Sequence, residues 1–594
     1  MAQAALGNVD RRPRPDLVVL SETSLPMILW VALVHRRPMA LLSVMPVLPF
    51  LARPMAAVAS WLMARGLVRA AADRFPSLSS VDGSATALAI AAVYPRCEPD
   101  MKRHFRLDAR ASRLGPRYAQ AYRHASMGFL KSRMQTLLTL RDAEDELVAA
   151  GSFIHGLHRE IVLLFAAAHG RPPRFAYSTV PEFRPIANLL TAIATLAAAV
   201  VAAGRTLRFM SPRAPEPIAF AYDQPNSNAS SGAEQLALDI AGGDPNKVLF
   251  VFRNDTPACA GDPKAWQPRR TASPSDGTLS PLDAARALVE AAADLSLLLV
   301  HLWATHPHHF FAMAKLPVKR IALRSLFDRY PIRAFLSRDD YNTEHIIRTQ
   351  ELRRIGAVSM GINHGMPTAP IVLMHWQYLD FDRYYTFGTF LHETWYRHGW
   401  PPGMTTRPIG SWGMTGAQRR RLGQERTSDI VYFCNPLTDP LPLVRAAVSV
   451  AAHFPDRTVW VKIKSYYPDA DPKFLRYLRL VARRLPNVRI TRENPYELML
   501  RCRYAIGGLT TAVPEAAQFG CVALFLDFYD SNVDVLFRHF PDICVTSAGA
   551  AIDRIRAVES GDWVYPRERL ESLITMHCEC PFRAIASEIP NGAS

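Results

Sequence analysis

Tyr504–Gly520 reads YAIGGLTTAVPEAAQFG. An apolar, strand-like run ends at Gly507-Gly508. Thr510 and Thr511 can cap the helix that follows, and Pro514 suits a first helical turn. Gly520 closes it. The stretch predicts strand, tight turn, helix, and the same rhythm repeats around it. Strands are predicted at Ile430–Cys434, Val459–Ile463, Val488–Thr491, Tyr504–Gly507, Val522–Asp527 and Ile543–Thr546. Helical segments lie between them at Pro442–Phe454, Pro472–Leu485, Pro495–Arg501 and Val513–Phe519. Strands alternating with short helical crossovers predict a doubly wound parallel sheet over residues 429–547. Glycines such as Gly508 let backbone approach a ligand, and a helix start offers N–H groups to phosphate. Glu515 follows within reach of a ribose diol.

A polar stretch at Gly413–Ser428 marks a domain boundary. Before it a second alternating series runs through strands Val248–Phe252, Arg333–Leu336, Val358–Ile362 and Tyr384–Phe387, with helices Asp283–Leu299 and Tyr341–Ile355. Asp16–Leu20 reads as a first strand, and residues from about 25 to 210 read mainly as helices, among them Arg117–Leu140 and Asp142–Ala168. The expected fold class is α/β with two Rossmann-like domains, the N-terminal one carrying a large helical elaboration. The expected domains are an acceptor-side domain over 1–413, a donor-binding domain over 429–560, and a tail over 561–594 that packs back or is disordered. Ligands of open α/β sheets bind beyond the carboxyl ends of the strands, so donor and acceptor would meet in the cleft between the two sheets.

The order apolar strand, Gly, Thr-Thr, three residues, Glu-Ala, three residues, Gly, apolar strand resembles the donor-binding half of GT-B glycosyltransferases. It is most similar to capsule and surface-polysaccharide transferases, including sialyl- and Kdo-transferase-like and CDP-glycerol glycerophosphotransferase-like members. The resemblance spans about residues 328–548. It implies that Thr510 and Thr511 hold the donor phosphate and that Glu515 holds the ribose. Val461-Lys462-Ile463-Lys464 matches a position where these families show Lys followed by His-Pro. Here Ser465-Tyr466-Tyr467-Pro468 follows, so the histidine is absent and Lys462 or Lys464 would supply the positive charge. Asn435-Pro436 opens the loop after the first strand of the donor domain and faces the donor by position alone. In the first domain Arg338-Asp339-Asp340 and Gly361-Ile362-Asn363-His364-Gly365 both follow strands, on one rim. The His-Gly resembles that of the same transferases, where it lines the cleft. Transfer to a hydroxyl needs a base that titrates near neutrality, a role open to His364, with Asp339 or Asp340 as the rival. Gly388-Thr389, Glu393 and Gly410-Ser411 read as architecture at the crossover between domains.

Bulk composition bounds the rest. The chain has 594 residues, 49% apolar and 21% charged, with a net charge of +16. That length calls for more than one core, and the basic excess calls for an anionic partner. Nine Lys/Arg stand against the single Asp108 between Met101 and Met134, which is either a solvated face or a docking strip for an anionic membrane or acceptor. The eight cysteines show no paired Cys-x-x-Cys spacing, which fits a reducing cytoplasm. Ile186–Ala203 is uncharged, but eight of its residues are Ala, and a buried helix is expected. Leu25–Gly66 is broken by five prolines and reads as interfacial rather than spanning. His577-Cys578-Glu579-Cys580 is too closely spaced for a usual zinc site, and His306 to His309 sits in aromatic surroundings, so no metal ligand is assigned. Phosphate-loop, HExxH and GxSxG signatures are absent.

The expected function is transfer of a sugar from a nucleotide-sugar donor to a surface polysaccharide or lipid-linked glycan, without a bound cofactor and without a metal. The expected setting is the cytoplasm, peripheral at the anionic inner membrane face, with no nucleic-acid partner. Two rivals stand beside it. One is transfer of a polyol phosphate from a CDP-glycerol type donor. The other is a catalytically silent GT-B scaffold that binds a membrane synthase.

Overall fold

A computed structural model describes residues 17–20, 38–42, 49–75, 102–103, 105–179, 184–208, 218–224, 231–253, 270–367, 369–434, 440–463, 472–508, 510–528, 534–576 and 581–590, with isolated residues between 28 and 99. The chain divides into two compact units. Unit 1 comprises Met1–Val81, Ala89–Leu207 and Ser280–Ile321; unit 2 comprises Asp82–Leu88, Arg208–Leu279 and Ala322–Ser594.

Unit 1 holds β1 (Leu17–Leu20), β2 (Met39–Leu41), β3 (Arg69–Ala70), β4 (Ser152–His155) and β5 (Ala176–Ser178). They pair in parallel in the order β3-β2-β1-β4-β5. The stretch read as helical elaboration thus carries a parallel sheet of its own. Four of these strands went unread because each has only two to four residues, too few to show a period. Asp142–Ala168 is not one helix: Ser152–His155 interrupts it as β4, with Glu144–Ala149 before and Arg159–His169 after.

The basic run at 102–133 lies mostly on the Leu107–Asp142 helix and is not a bare strip. Arg117 pairs with Glu290 at 3.3 Å and Asp294 at 2.9 Å. Arg123 reaches Asp108 at 3.2 Å, Arg133 lies over the Phe129 ring, and burial pushes the Lys131 ammonium down. Much of this charge ties helices together.

The helix at Arg184–Thr206 departs from expectation more sharply. It buries Ala187, Asn188, Thr191, Ala192, Thr195, Ala199 and Ala203, while all seven of its Leu, Ile and Val residues are exposed, from 38% at Leu196 to 57% at Ile186 and Ile193. It is therefore not the buried helix expected. Its small side packs on the Pro281–Leu302 helix. Asn188 Nδ2 donates to the carbonyls of Leu302, Trp303 and Thr305 at 3.3, 2.7 and 2.8 Å, satisfying groups that a helix end leaves open.

Unit 2 is built from two Rossmann-like parallel sheets, the GT-B plan. The first contains β6 (Ile218–Gln224), β7 (Val248–Phe252), β8 (Arg270–Ala272), β9 (Ile332–Ser337), β10 (Val358–Ile362), β11 (Arg383–Thr386) and β12 (Thr405–Pro408), in the order β12-β11-β10-β9-β6-β7-β8. The second contains β13 (Thr427–Phe433), β14 (Val459–Lys462), β15 (Val488–Thr491), β16 (Cys502–Gly507), β17 (Val522–Leu526) and β18 (Cys544–Val545), in the order β15-β14-β13-β16-β17-β18. Strands such as β7 (VLFVF) and β17 (VALFL) are apolar along nearly their whole length because helices cover both faces of a parallel sheet. The C-terminal segment returns to the first sheet. Phe390 N donates to Ser572 O at 2.7 Å, and Arg383, Tyr385 and Arg407 all bond Glu588.

In unit 1, buried Glu144 accepts two bonds from Arg171, at 2.6 and 2.9 Å, and one from the Arg174 amide at 2.7 Å. The Arg171 bonds pull its pKa from 4.5 down to about 2, against burial. A depressed carboxylate stabilises above its unfolded pKa and loses that contribution as pH falls through the folded one. We expect Glu144→Gln to lower the melting temperature near neutral pH. The difference from wild type should close between pH 4.5 and about 2 in melts followed by circular dichroism.

Candidate active site

The site assembles on two strand rims of unit 2. In the second sheet Phe433 is in register with both Lys462 and Gly507, so the ends of β14, β13 and β16 form one row. The crevice between β13 and β16 is the switch point of this strand order, where the crossovers diverge. Gly508, Thr510 and Thr511 lie just past β16, and Lys462 ends β14 with its ammonium on the Ile463 carbonyl at 2.7 Å. Asn435 and Lys464 lie outside the described residues. The helix after the threonines, Ala512–Gln518, is only seven residues long. Thr510 Oγ1 accepts from Ala512 N at 3.3 Å, and Thr511, the N-cap residue, makes no side-chain cap bond, contrary to expectation.

In the first sheet Gly361 is in register with Ser337, so the turns after β9 and β10 lie side by side. They bring Asp340 and His364 together. His364 Nδ1 lies 2.5 Å from Asp340 Oδ1, and the His364 amide donates to Oδ2 at 3.4 Å. Tyr384 OH donates to that same Oδ2 at 2.9 Å. Asp340 is fully buried, whereas the His364 side chain is 29% exposed. A buried carboxylate bonded to Nδ1 fixes the ring orientation and the tautomer with the proton on Nδ1. Nε2 is then the atom that can take a proton. Tyr341 and Trp376 set ring edges against the imidazole at 5.1 and 5.4 Å.

The two neighbouring aspartates have separate roles. Asp340 lies on the Nδ1 side of the His364 ring. Asp339 faces Arg253 at 3.4 Å and Arg348 at 3.7 Å. Burial pushes Asp339 up to about 6, against the pull of Arg253. Asp223 joins this cluster through two Arg253 bonds at 2.9 and 2.7 Å and through Ser337 Oγ at 2.9 Å. Burial opposes ionisation of Asp223, but Arg253 and Arg348 outweigh it and hold its pKa below the ordinary value.

The rims meet. Met366 N, two residues past His364, donates to Thr511 Oγ1 at 3.0 Å. The segment before β13 holds this juxtaposition. Ser411 Oγ donates to Glu515 Oε1 at 2.5 Å, and Tyr496 OH donates to the same oxygen at 2.9 Å. Ser411 N donates to Gln518 Oε1 at 2.7 Å, and Trp412 Nε1 to Asn363 O at 2.8 Å. Gly410 has φ +68°, and a Cβ there would fall 2.3 Å from Gln518 Nε2; one on Gly413 would fall 1.7 Å from Tyr496 OH. Glu515 is buried and its pKa is raised by that burial. The residue expected to hold a ribose is thus an internal strut, with one oxygen already taken by two donors. Ser411 was read as architecture, but its partner, and the parts of Tyr496 and Tyr384, escaped sequence reading because the partners lie 104, 19 and 44 positions away. The histidines at 306 and 309 pack against the rings of Phe129, Tyr122 and Phe105, and burial drives His309 down to about 3. The cluster at 577–580 lies outside the described residues.

No family model matches the chain, and no curated protein matches its sequence. Solved structures do match it. Os79 from rice (O. sativa) in complex with UDP is 12% identical with a TM-score of 0.34, over 62% of this chain and 98% of that one. A UDP-GlcNAc 2-epimerase from Neisseria meningitidis bound to UDP-GlcNAc is 8% identical with a TM-score of 0.40, over 62% and 98%. A glycosyltransferase from Rickettsia africae ESF-5 is 11% identical with a TM-score of 0.34, over 63% and 99%.

Replacing Glu515 by Leu strands the buried hydroxyls of Ser411 and Tyr496. We expect Glu515→Leu to cost about 1–3 kcal/mol per unsatisfied group, read from urea unfolding. Ser411→Ala together with Tyr496→Phe, which removes both donors and leaves the buried carboxylate unsupported, should also destabilise.

Proposed function

We propose that unit 2 is a glycosyltransferase that moves a sugar from a nucleotide-sugar donor to a glycan hydroxyl. The observation that carries this reading is the Asp340–His364 pair, backed by Tyr384, on a rim joined through Met366 to Thr511 of the second sheet. A sugar held over the β13/β16 crevice would have the imidazole rim beside it. His364 Nε2 takes the proton of the acceptor O–H. The acceptor oxygen forms the new bond to the anomeric carbon as that carbon's bond to the phosphate oxygen breaks. The nucleotide leaves with the bonding electron pair. Asp340 stabilises the imidazolium that forms and returns it to the same orientation. Thr510, Thr511 and the backbone after Gly508 would lie against the phosphates, with Lys462 near the leaving charge. A pre-oriented base accounts for a catalytic reading better than a silent scaffold does, since a purely structural histidine gains nothing from leaving Nε2 for a proton. The acceptor class we propose is a surface polysaccharide or lipid-linked glycan.

His364→Ala and Asp340→Asn should each lower kcat by about 10²-fold or more while leaving the donor Kd within about twofold. Calorimetric titration and nucleotide-release assays measure the two quantities. Thermal shift with CMP, CDP, UDP and GDP should show stabilisation by at least one nucleotide. No shift with any of the four would sink the donor site. Release of glycerol phosphate to the acceptor from CDP-glycerol, with no turnover of sugar donors, would replace sugar transfer by polyol-phosphate transfer.

A further inference from the structure

The Arg184–Thr206 helix is inverted relative to a helix of a water-facing protein. At 3.6 residues per turn, Ile186, Leu189, Leu190, Ile193, Leu196, Val200 and Val201 fall within an arc of about 140°. All are exposed, and the opposite side is Ala, Thr and Asn packed on protein. An amphipathic helix in water does the reverse, burying its large apolar side chains. Small residues toward neighbouring helices and large apolar ones outward is the pattern of helices solvated by lipid.

The adjoining elements also expose large apolar side chains. Asn188 bonds the carbonyls at the end of the Pro281–Leu302 helix. That partner exposes Leu282, Val289, Val300 and Trp303, also along one face, at 55–71%. Of its three acidic residues, Glu290 and Asp294 bond Arg117, and Asp283 pairs with Arg286 at 3.6 Å. On another side the Pro49–Leu51 turn lies against the first helix with Phe50 and Leu51 exposed. Beyond it Trp61 is 53% exposed with the Arg65 guanidinium 5.0 Å over its ring. An exposed apolar face of seven side chains on one helix marks an interaction surface.

Charge says what covers it. Among the described residues of unit 1, 49–71 contain Arg53, Arg65 and Arg69 and no acid, and 185–207 contain Arg205 and no acid. A second copy would set one arginine-fringed face on another, which like charge disfavours. An anionic bilayer supplies an apolar interior and a negative rim, and Trp and Arg are side chains that settle at that boundary. We infer that this face of unit 1 lies in the plane of an anionic lipid leaflet, with the helix pair sunk to its apolar side chains and Trp61 with its arginines at the headgroups. Asp283, Glu290 and Asp294 on the partner helix would be costly inside a bilayer, so the pair lies along the leaflet and does not cross it. This inference is independent of the transfer reaction proposed for unit 2, so either can fail alone.

Flotation of the full chain with phosphatidylcholine vesicles, with and without phosphatidylglycerol, tests it. Wild type should float with the anionic vesicles and less with the neutral ones. The double variant Ile193→Glu/Val200→Glu alters only exposed positions, so it should melt as wild type does while vesicle binding falls about tenfold or more. A lipid-borne photo-crosslinker needs no variant and should label residues 186–201 and 282–303. Wild type remaining unbound, the double variant floating as wild type does, or labelling confined to other segments would each overturn the inference. So would a wild-type dimer that the double variant splits without any vesicle binding, which would make the face an interface between copies.

Discussion

Unit 2 turns on one buried carboxylate. Glu515 sits at the start of the helix after β16, and its Oε1 accepts from Ser411 on the connecting segment and from Tyr496 on the preceding helix. A buried acceptor held by two hydroxyls is costly to disrupt, because each partner left behind is a desolvated polar group. The bond therefore fixes the rim of the second sheet to the segment that enters it. Trp412, one residue past Ser411, fixes the same segment to Asn363 in the first sheet. The contact between Thr511 and the His364 loop is thus accompanied by anchors from residues 411 and 412 to both rims.

The chemistry of the site depends on the same kind of commitment. Asp339 and Asp340 are adjacent in sequence and both buried, yet environment separates them. Asp339 belongs to an arginine cluster that closes the ends of β6, β7 and β9. Asp340 faces an imidazole and a tyrosine hydroxyl. A carboxylate placed behind a histidine sets its tautomer and stabilises its protonated form, and a carboxylate among arginines neutralises them. The second arrangement holds the first sheet together where the loops carrying Asp340 and Tyr341 emerge.

Unit 1 follows different physics. Its sheet is short-stranded, and its arginines are spent largely on contacts within the unit. Its Arg184–Thr206 helix, uncharged from 186 to 203, packs by its smallest residues, with Asn188 taking the carbonyls that another helix leaves open. The apolar mass of that helix is consequently turned outward. Composition alone ranks it as an interior helix; which side meets protein is decided by where close approach and hydrogen bonding are possible.

What the residues determined by themselves was the alternating plan of the second sheet of unit 2 and four strands of the first, with β6, β8 and β12 left unread. Val248–Phe252, Val358–Ile362, Val488–Thr491 and Pro495–Arg501 were legible to the residue, because a buried parallel strand is a continuous apolar run and a helix start carries its cap and proline locally. His364, Asp340, Thr510 and Thr511 were legible as rim residues for the same reason: a turn after a strand lies at a strand end whatever the sheet order. Tertiary structure decided the rest. Strands β2 to β5 were invisible because each has only two to four residues. The roles of Asp340, Glu515, Ser411, Tyr384 and Tyr496 were invisible because a side chain's role depends on its partner, and these partners lie 19 to 104 positions apart. The outward face of residues 186–201 was invisible because a period shows that a helix has two sides, and only packing shows which one is covered.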